Sequence, residues 1–378
     1  MPASRRGFLR GLGASAAFGL TPIASFPAII ANFEPGRTEK PEGPILLNSN
    51  ENAYGPLPKS VNALQNALGQ ANRYPFAFYG ELAEEIASLH HVQPSQIVLG
   101  CGSSEILRMT AMALLGNGKQ LVQASPTYEA MEHYAKVAGA GVASVPLTHE
   151  YSHDVEAMLS AAKKADSLVY ICNPNNPTAS LTPRKDLQDF ISRMPTSSHV
   201  LIDEAYHHFA ASSQQYRSFI DSPVEDERVI VSRTFSKIYG MAGLRLGYAV
   251  ASSTIAEHLR RYATIININA LASVAAMAAL RDSESLAMAA KRNADDRQEF
   301  FNQAMARMLK PIDSQANFVM MNAHRPAEEV IEHFRKNNVL IGRKFPAVNT
   351  HVRVSLGKPQ EMANFWQVWD RMGGGMTM

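Results

Sequence analysis

The chain has 378 residues, a formal net charge of +2, 46% apolar residues and 19% charged ones. That length can bury a sizeable core in one large domain or two joined ones, and the composition excludes a disordered or fibrous chain. The near-neutral charge, with no Lys/Arg run after residue 10, excludes the broad basic field of a nucleic-acid binder.

In chain order, the first segment is Ser4-Arg5-Arg6-Gly7-Phe8-Leu9-Arg10, followed by a mildly apolar stretch to residue 31 that Pro22 and Pro27 interrupt. A membrane-spanning helix needs about 20 mostly apolar residues without such breaks. Residues 1–31 match a twin-arginine export signal, with cleavage between Ala24 and Ala31. A basic patch and an ordinary helix start are the alternatives. Residues 32–44, NFEPGRTEKPEGP, are polar, Pro/Gly-rich and aperiodic, and predict a linker.

Short β-branched runs follow at 96–100, 120–124, 167–171, 199–203, 228–232 and 246–250, and each predicts a strand. Helix-length segments lie between several of them, such as Glu105–Leu115, where Ile106, Met109 and Ala113 share a face. Near-continuous apolar strands alternating with helices predict an α/β fold with a mostly parallel sheet between helical layers. From about Leu271 the pattern turns helical, and VRVSL (352–356) predicts one more strand before a last helix. The expected division is a large domain over 73–270 and a smaller α+β domain from 45–72 and 271–378, ending in a flexible GGGMTM tail. Cys101 and Cys172 lie in apolar, strand-like contexts and are expected as buried free thiols, a single disulfide being the alternative.

Five segments at predicted strand ends carry unusual chemistry. Gly100–Glu105 (GCGSSE) joins a strand to a helix, where small residues and free N–H groups favour an anion and Ser103 and Ser104 add hydroxyls. A tight turn with a serine cap is the plainer explanation. Ser125–Glu129 (SPTYE) places Tyr128 to cover a ring or to pack in the core. Cys172–Ala179 (CNPNNPTA) combines two X-Pro steps with asparagine donors and acceptors. In LIDEAYHHF, Asp203 ends an apolar strand, a costly position unless a cation or backbone N–H groups meet it. In Ser232–Tyr248, Lys237 stands among hydroxyls and glycines, where a desolvated amine becomes a nucleophile towards carbonyls. Thr234, Ser236 and Arg245 nearby are phosphate donors. A Schiff-base lysine, a carboxylate for a ring cation, an aromatic cover and phosphate donors together match pyridoxal phosphate.

The motifs LNSNENAYGP (47–56), RYP (73–75), GSSE, PTY, NPNNPT, DEAY, SKIYGMAGLRLGY and RVSLG (353–357) occur in one order along the chain. In this the chain resembles the fold-type I pyridoxal phosphate enzymes, specifically the class I/II aminotransferases of the histidinol-phosphate branch. The resemblance implies that Lys237 forms the Schiff base and shuttles a proton, and that Asp203 pairs with the pyridine nitrogen. It implies that Asn176 and Tyr206 bond the ring 3-oxygen, that Tyr128 stacks on the ring, and that Ser103, Ser104, Thr234, Ser236 and Arg245 hold the phosphate. Tyr74 would reach the phosphate of a second subunit in a homodimer. Arg353 resembles the arginine for a substrate carboxylate or phosphate, Arg343 a second anion contact, and Asn52 and Tyr54 further substrate contacts.

Ala179 stands where the family has glycine, so this loop is expected to avoid positive φ. Ala53 replaces a proline, and IYGM follows the lysine in place of AFGL, bringing Tyr239 and Met241 near the cofactor. His90-His91 and His207-His208 are adjacent pairs expected to diverge and to serve packing or surface roles, and no metal site is expected. The implied reaction is ping-pong transfer from an amino donor to an oxo acid. A lyase, decarboxylase or oxygen-using deaminase on the same cofactor, and a non-catalytic binder, are the rivals. An exported enzyme, not anchored to a membrane, would act on a substrate other than histidinol phosphate, since histidine biosynthesis is expected in the cytoplasm.

Overall fold

The computed structural model describes residues 43–223 and 226–372. The expected export signal, all but the last two residues of the expected linker and the GGGMTM tail lie outside the described residues. The described chain from Pro44 onward packs as one compact unit.

In chain order the strands are β1 Ile45–Leu47, β2 Ile97–Cys101, β3 Gln120–Ser125, β4 Gly141–Pro146, β5 Ser167–Cys172 and β6 His199–Asp203. They continue with β7 Val229–Thr234, β8 Leu246–Val250, β9 Phe318–Asn322, β10 Val339–Ile341 and β11 His351–Ser355. Seven of them form the main sheet in the order β2-β8-β7-β6-β5-β3-β4. Only β8 runs against its neighbours β2 and β7. Every residue of β5, β7 and β8 is buried. That explains runs that are apolar throughout instead of alternating: helices cover both faces, so neither face can be polar.

Residues on opposite faces of the sheet feed two separate cores. One gathers Leu99, Val122, Val169, Ile171, Ile202 and Val231, and the other Val98, Leu121, Leu168, Tyr170, Leu201 and Ile230. A third core, with Leu47, Phe300, Phe334, Val354 and Phe365, joins the first strand to the last helices. There β1 pairs in parallel with β10, and β9 pairs antiparallel with β11.

The helix on which Ile106, Met109 and Ala113 were expected to share a face runs Gly102–Leu114, with Ile106 and Met109 fully buried. Both cysteines are free, but only Cys172 is buried. Cys101 is exposed, because it ends β2 where the chain leaves the sheet for that helix. No helix among the described residues is long and apolar enough to cross a membrane.

Candidate active site

The chain order of the main sheet reverses between β3 and β5, which are adjacent although β4 lies between them in sequence. In open α/β sheets, a crevice opens beyond the carboxyl ends of the strands at such a reversal. Tyr128 follows β3, Asn176 follows β5, Asp203 ends β6, and Thr234 to Lys237 leave β7, all at that end. Because β8 is antiparallel, Arg245 at its start and Ser103 after β2 meet there too.

Two glycines let this corner close. A Cβ on Gly102 (φ +71°) would lie 2.3 Å from Nη2 of Arg245, and one on Gly247 would lie 2.4 Å from the Ser103 amide. Gly247 meets backbone and leaves no room for a side chain, while at Gly102 the positive φ is what favours glycine. Arg245 Nη1 reaches Ser236 Oγ at 3.3 Å, and the Thr234 hydroxyl bonds Ser236 Oγ at 3.0 Å. Ser103 and Ser104 occupy the first turn of the Gly102–Leu114 helix, whose leading N–H groups lack intrahelical partners. The cluster is rich in donors and has one guanidinium, which suits a phosphate.

Asp203 is buried, and neutral donors meet it. Oδ2 accepts the Tyr170 hydroxyl at 2.9 Å, while Oδ1 accepts Ser232 Oγ at 3.1 Å and the Ala205 amide at 3.2 Å. Burial raises its pKa above the ordinary carboxylate value, a rise that these three donors oppose without cancelling. The next residue, Glu204, is clamped by Nε of buried Arg233 at 3.1 Å and by Ser218 Oγ at 2.7 Å, which ties the end of β6 to β7.

Lys237 Nζ donates to the backbone carbonyl of Asn50 at 3.0 Å and lies 5.6 Å from the centre of the Tyr206 ring. Desolvation, then the neighbouring Arg353 charge, lowers its pKa from 10.5 to about 8. Asn50 adopts φ +54° and also donates from Nδ2 to the Tyr206 hydroxyl at 3.0 Å. One asparagine thereby positions both the amine and the phenol. Tyr206 itself is buried edge-on against Phe318, and its pKa is raised by that burial.

Arg353, on β11, donates from Nη1 to Asn176 Oδ1 and from Nη2 to the Asn48 carbonyl, both at 2.7 Å. Its Nε is buried with no hydrogen-bond partner among the described residues. Burial lowers its pKa to about 10. Arg343 pairs with Glu129 at 2.5 Å. Tyr128 is half-buried, with burial raising its pKa and Ser104 opposing that rise.

Three further expected site residues are held otherwise. Asn52 donates to the Ile238 carbonyl at 3.0 Å. Tyr54 bonds Asp296 at 3.0 Å beneath the Arg292 guanidinium. Tyr74 is a surface residue in this chain, 71% exposed, with its ring tilted against Phe76.

Two local expectations are corrected. Ala179 does adopt positive φ, at +61°, while fully buried. Its amide bonds the Asn175 carbonyl at 2.7 Å and its carbonyl accepts the Gln315 amide at 2.8 Å. These bonds offset the roughly 1–2 kcal/mol that a Cβ costs in this conformation. The rings of His207 and His208 converge edge to face at 4.8 Å instead of diverging, because both pack into the polar cluster around Asp221, Tyr216 and Tyr239.

Sequence patterns did not single out Asn50, Tyr170, Ser232 or Glu129. Asn50 and Glu129 fall inside quoted motifs without an assigned role. Tyr170 is signalled only by its polar tip within an otherwise apolar strand.

The assembled groups fit pyridoxal phosphate: a donor-rich phosphate cradle, a buried carboxyl group for a ring cation, and an amine with its pKa lowered to about 8 for an aldehyde. The Arg353 guanidinium, whose charge is felt at Lys237, adds a cation for a substrate anion.

Comparison with known proteins agrees with this geometry. Residues 42–368 match the family model described as aminotransferase class I and II. The histidinol-phosphate aminotransferase of Moorella thermoacetica is 35% identical over 323 residues, covering 85% of this chain and 83% of that protein. The aromatic amino acid aminotransferase of Cutibacterium acnes is 36% identical over 281 residues, covering 74% of this chain and 79% of that protein. The crystal structure of histidinol-phosphate aminotransferase from Sinorhizobium meliloti, in complex with pyridoxal-5'-phosphate, superposes with a TM-score of 0.81. It is 24% identical, covers 88% of this chain and 92% of that one, and shares the fold.

Proposed function

Because the chain belongs to the class I and II aminotransferases and uses pyridoxal phosphate, we propose that it moves the amino group of an α-amino acid to an oxo acid. We place it in the periplasm as a homodimer. When bound, the cofactor supplies an aldehyde for the amino group and a cationic ring that draws electrons from the substrate Cα.

The observation that carries the reaction is Lys237. With its pKa near 8, a substantial fraction of its amine is neutral at physiological pH. It can attack a carbonyl and later accept the α-proton at Nζ. The Asn50 carbonyl accepts from that nitrogen and holds it in place. Asp203, its carboxyl oxygens held by three donors, would face the ring cation. Tyr206 and Asn176 serve the ring oxygen, Tyr128 covers the ring, and Ser103, Ser104, Thr234, Ser236 and Arg245 hold the phosphate. Arg353 takes the α-carboxylate with its guanidinium, whose charge already acts on Lys237. Asn52 and Tyr54 line the approach.

The homodimer is supported by the exposed apolar strip of Leu68, Tyr74 and Phe76, which a second copy would cover, and Tyr74 would then reach the neighbouring phosphate. The strip lies close to the proposed boundary between a small body (45–72 with 271–378) and a large one (73–270). Export is supported by SRRGFLR and its mild apolar sequel, and it favours a donor other than histidinol phosphate. Twin-arginine export carries folded proteins, which suits an enzyme that acquires its cofactor while folding.

A half-reaction screen tests this. The visible band of the bound cofactor, followed against a panel of amino acids without acceptor, is expected to convert to the amine form with at least one donor. Ammonia release with oxygen consumption, in the absence of any oxo acid, would overturn transamination.

A further inference from the structure

Glu129 directly follows Tyr128, and its Oε2 lies 2.5 Å from Nη2 of Arg343. The Arg343 guanidinium sits 4.5 Å from the centre of the Phe345 ring, and the Arg353 guanidinium sits 5.2 Å from the same ring. Two arginines thus flank one aromatic residue. What holds them differs. Arg353 gives its Nη groups to the neutral oxygens of Asn176 and Asn48 and keeps Nε free. Arg343 is already neutralised by a carboxylate. The Glu129 and Arg343 charges both act on Arg353, one raising and the other lowering its pKa, so the pair stands within electrostatic reach of it.

We propose that Glu129 is a specificity-determining residue: by occupying Arg343 it restricts the site to donors with one anionic group and disfavours a second carboxylate or phosphate. This rests on the amino-acid transfer stated above. A second anion would have to displace Glu129 from Arg343 and then share the space with a released carboxylate. Like charges brought together in this way penalise the wrong ligand. Both partners are close to half exposed, 42% and 45%, so solvent screens the effect to that of a surface ion pair.

The test uses the holoenzyme and two ligands that cannot donate an amino group, succinate and butyrate, with binding measured by calorimetry. Glu129→Gln keeps the side-chain shape and removes its charge. The succinate-to-butyrate affinity ratio is expected to rise about fivefold, the upper worth of a half-exposed pair. The double variant Glu129→Gln/Arg343→Gln is expected to lose that gain, and Glu129→Ala to move the ratio in the same direction as Glu129→Gln. A ratio that is unchanged or lower in both single variants overturns the proposal. Neither probe reacts, so this outcome is independent of the half-reaction screen, and failure of one is not failure of the other.

Discussion

The Tyr170 hydroxyl donates a 2.9 Å hydrogen bond to Oδ2 of Asp203, reaching from β5 to the end of β6. The parallel register pairs Cys172 with Asp203, so Tyr170, two residues earlier on β5, shares the face on which that carboxylate stands. Both groups are buried, and among the described residues the phenol is one of three donors that oppose the desolvation of Asp203.

Tyr170→Phe keeps the ring and removes that donor. The Asp203 pKa is then expected to rise further, and the carboxylate becomes a poorer partner for a ring cation. A hydrogen bond to a charged group contributes about 1.5–3 kcal/mol, so the cofactor dissociation constant should increase about tenfold or more. Equilibrium titration of the variant with pyridoxal phosphate measures this. An unchanged constant would remove Tyr170 from the account.

The depressed pKa of Lys237 predicts a pH dependence. The neutral amine is the reacting form, so the rate at which the cofactor-free enzyme recaptures pyridoxal phosphate should climb with pH and reach half its plateau near pH 8. An ordinary lysine would place that midpoint near 10.5. Stopped-flow measurement at constant ionic strength distinguishes the two.

Arg353→Lys retains the charge but loses the planar fork that serves Asn176, Asn48 and a substrate anion together. Losing a hydrogen bond to a charged group costs about 1.5–3 kcal/mol, so kcat/KM for α-amino acids should fall roughly 10- to 100-fold. Most of the loss should appear in KM, because the carboxylate is held alike before and during the reaction. A change below about threefold would show that the α-carboxylate binds elsewhere.

Gly247→Ala would drive a Cβ to 2.4 Å from the Ser103 amide and 2.9 Å from the Arg233 carbonyl. Both are backbone atoms, so the turn carrying the phosphate donors must shift. Overpacking of this kind costs about 1–3 kcal/mol, and cofactor affinity should drop about tenfold. Gly243→Ala, whose Cβ meets nothing within 4 Å, is the control and should leave affinity unaltered.

Replacing the twin arginines conservatively, Arg5→Lys with Arg6→Lys, should retain the enzyme in the cytoplasm with its cofactor bound. Fractionation of cells expressing each form checks it. Equal periplasmic recovery of both forms would remove the export proposal.

Much of the main sheet was legible because its strands are buried on both faces and therefore read as unbroken apolar runs between turns. The expected strands match β2, β3, β5, β6, β7, β8 and β11 to within a residue or two at each end. The strands that escaped notice lack that signature. β1 and β10 have three residues each and exist by pairing with one another. β4 pairs only with β3 at the sheet edge and is largely solvated, and β9 carries two methionines, which favour helices.

The sequence by itself determined which chemical groups stand at the strand ends, since turn residues after apolar runs fix where each strand stops. That was enough to nominate an amine, a buried carboxyl group and a cluster of phosphate donors as candidates, and to name the cofactor they suit. Only the tertiary structure decided how those groups are tuned. Asn50 holds Lys237 across 187 residues of chain, Tyr170 braces Asp203 across 33, and Glu129 occupies Arg343 from another part of the fold. Local patterns encode backbone conformation over a few residues. Hydrogen bonds and ion pairs between distant segments depend on how strands order themselves within the sheet, which no local pattern records.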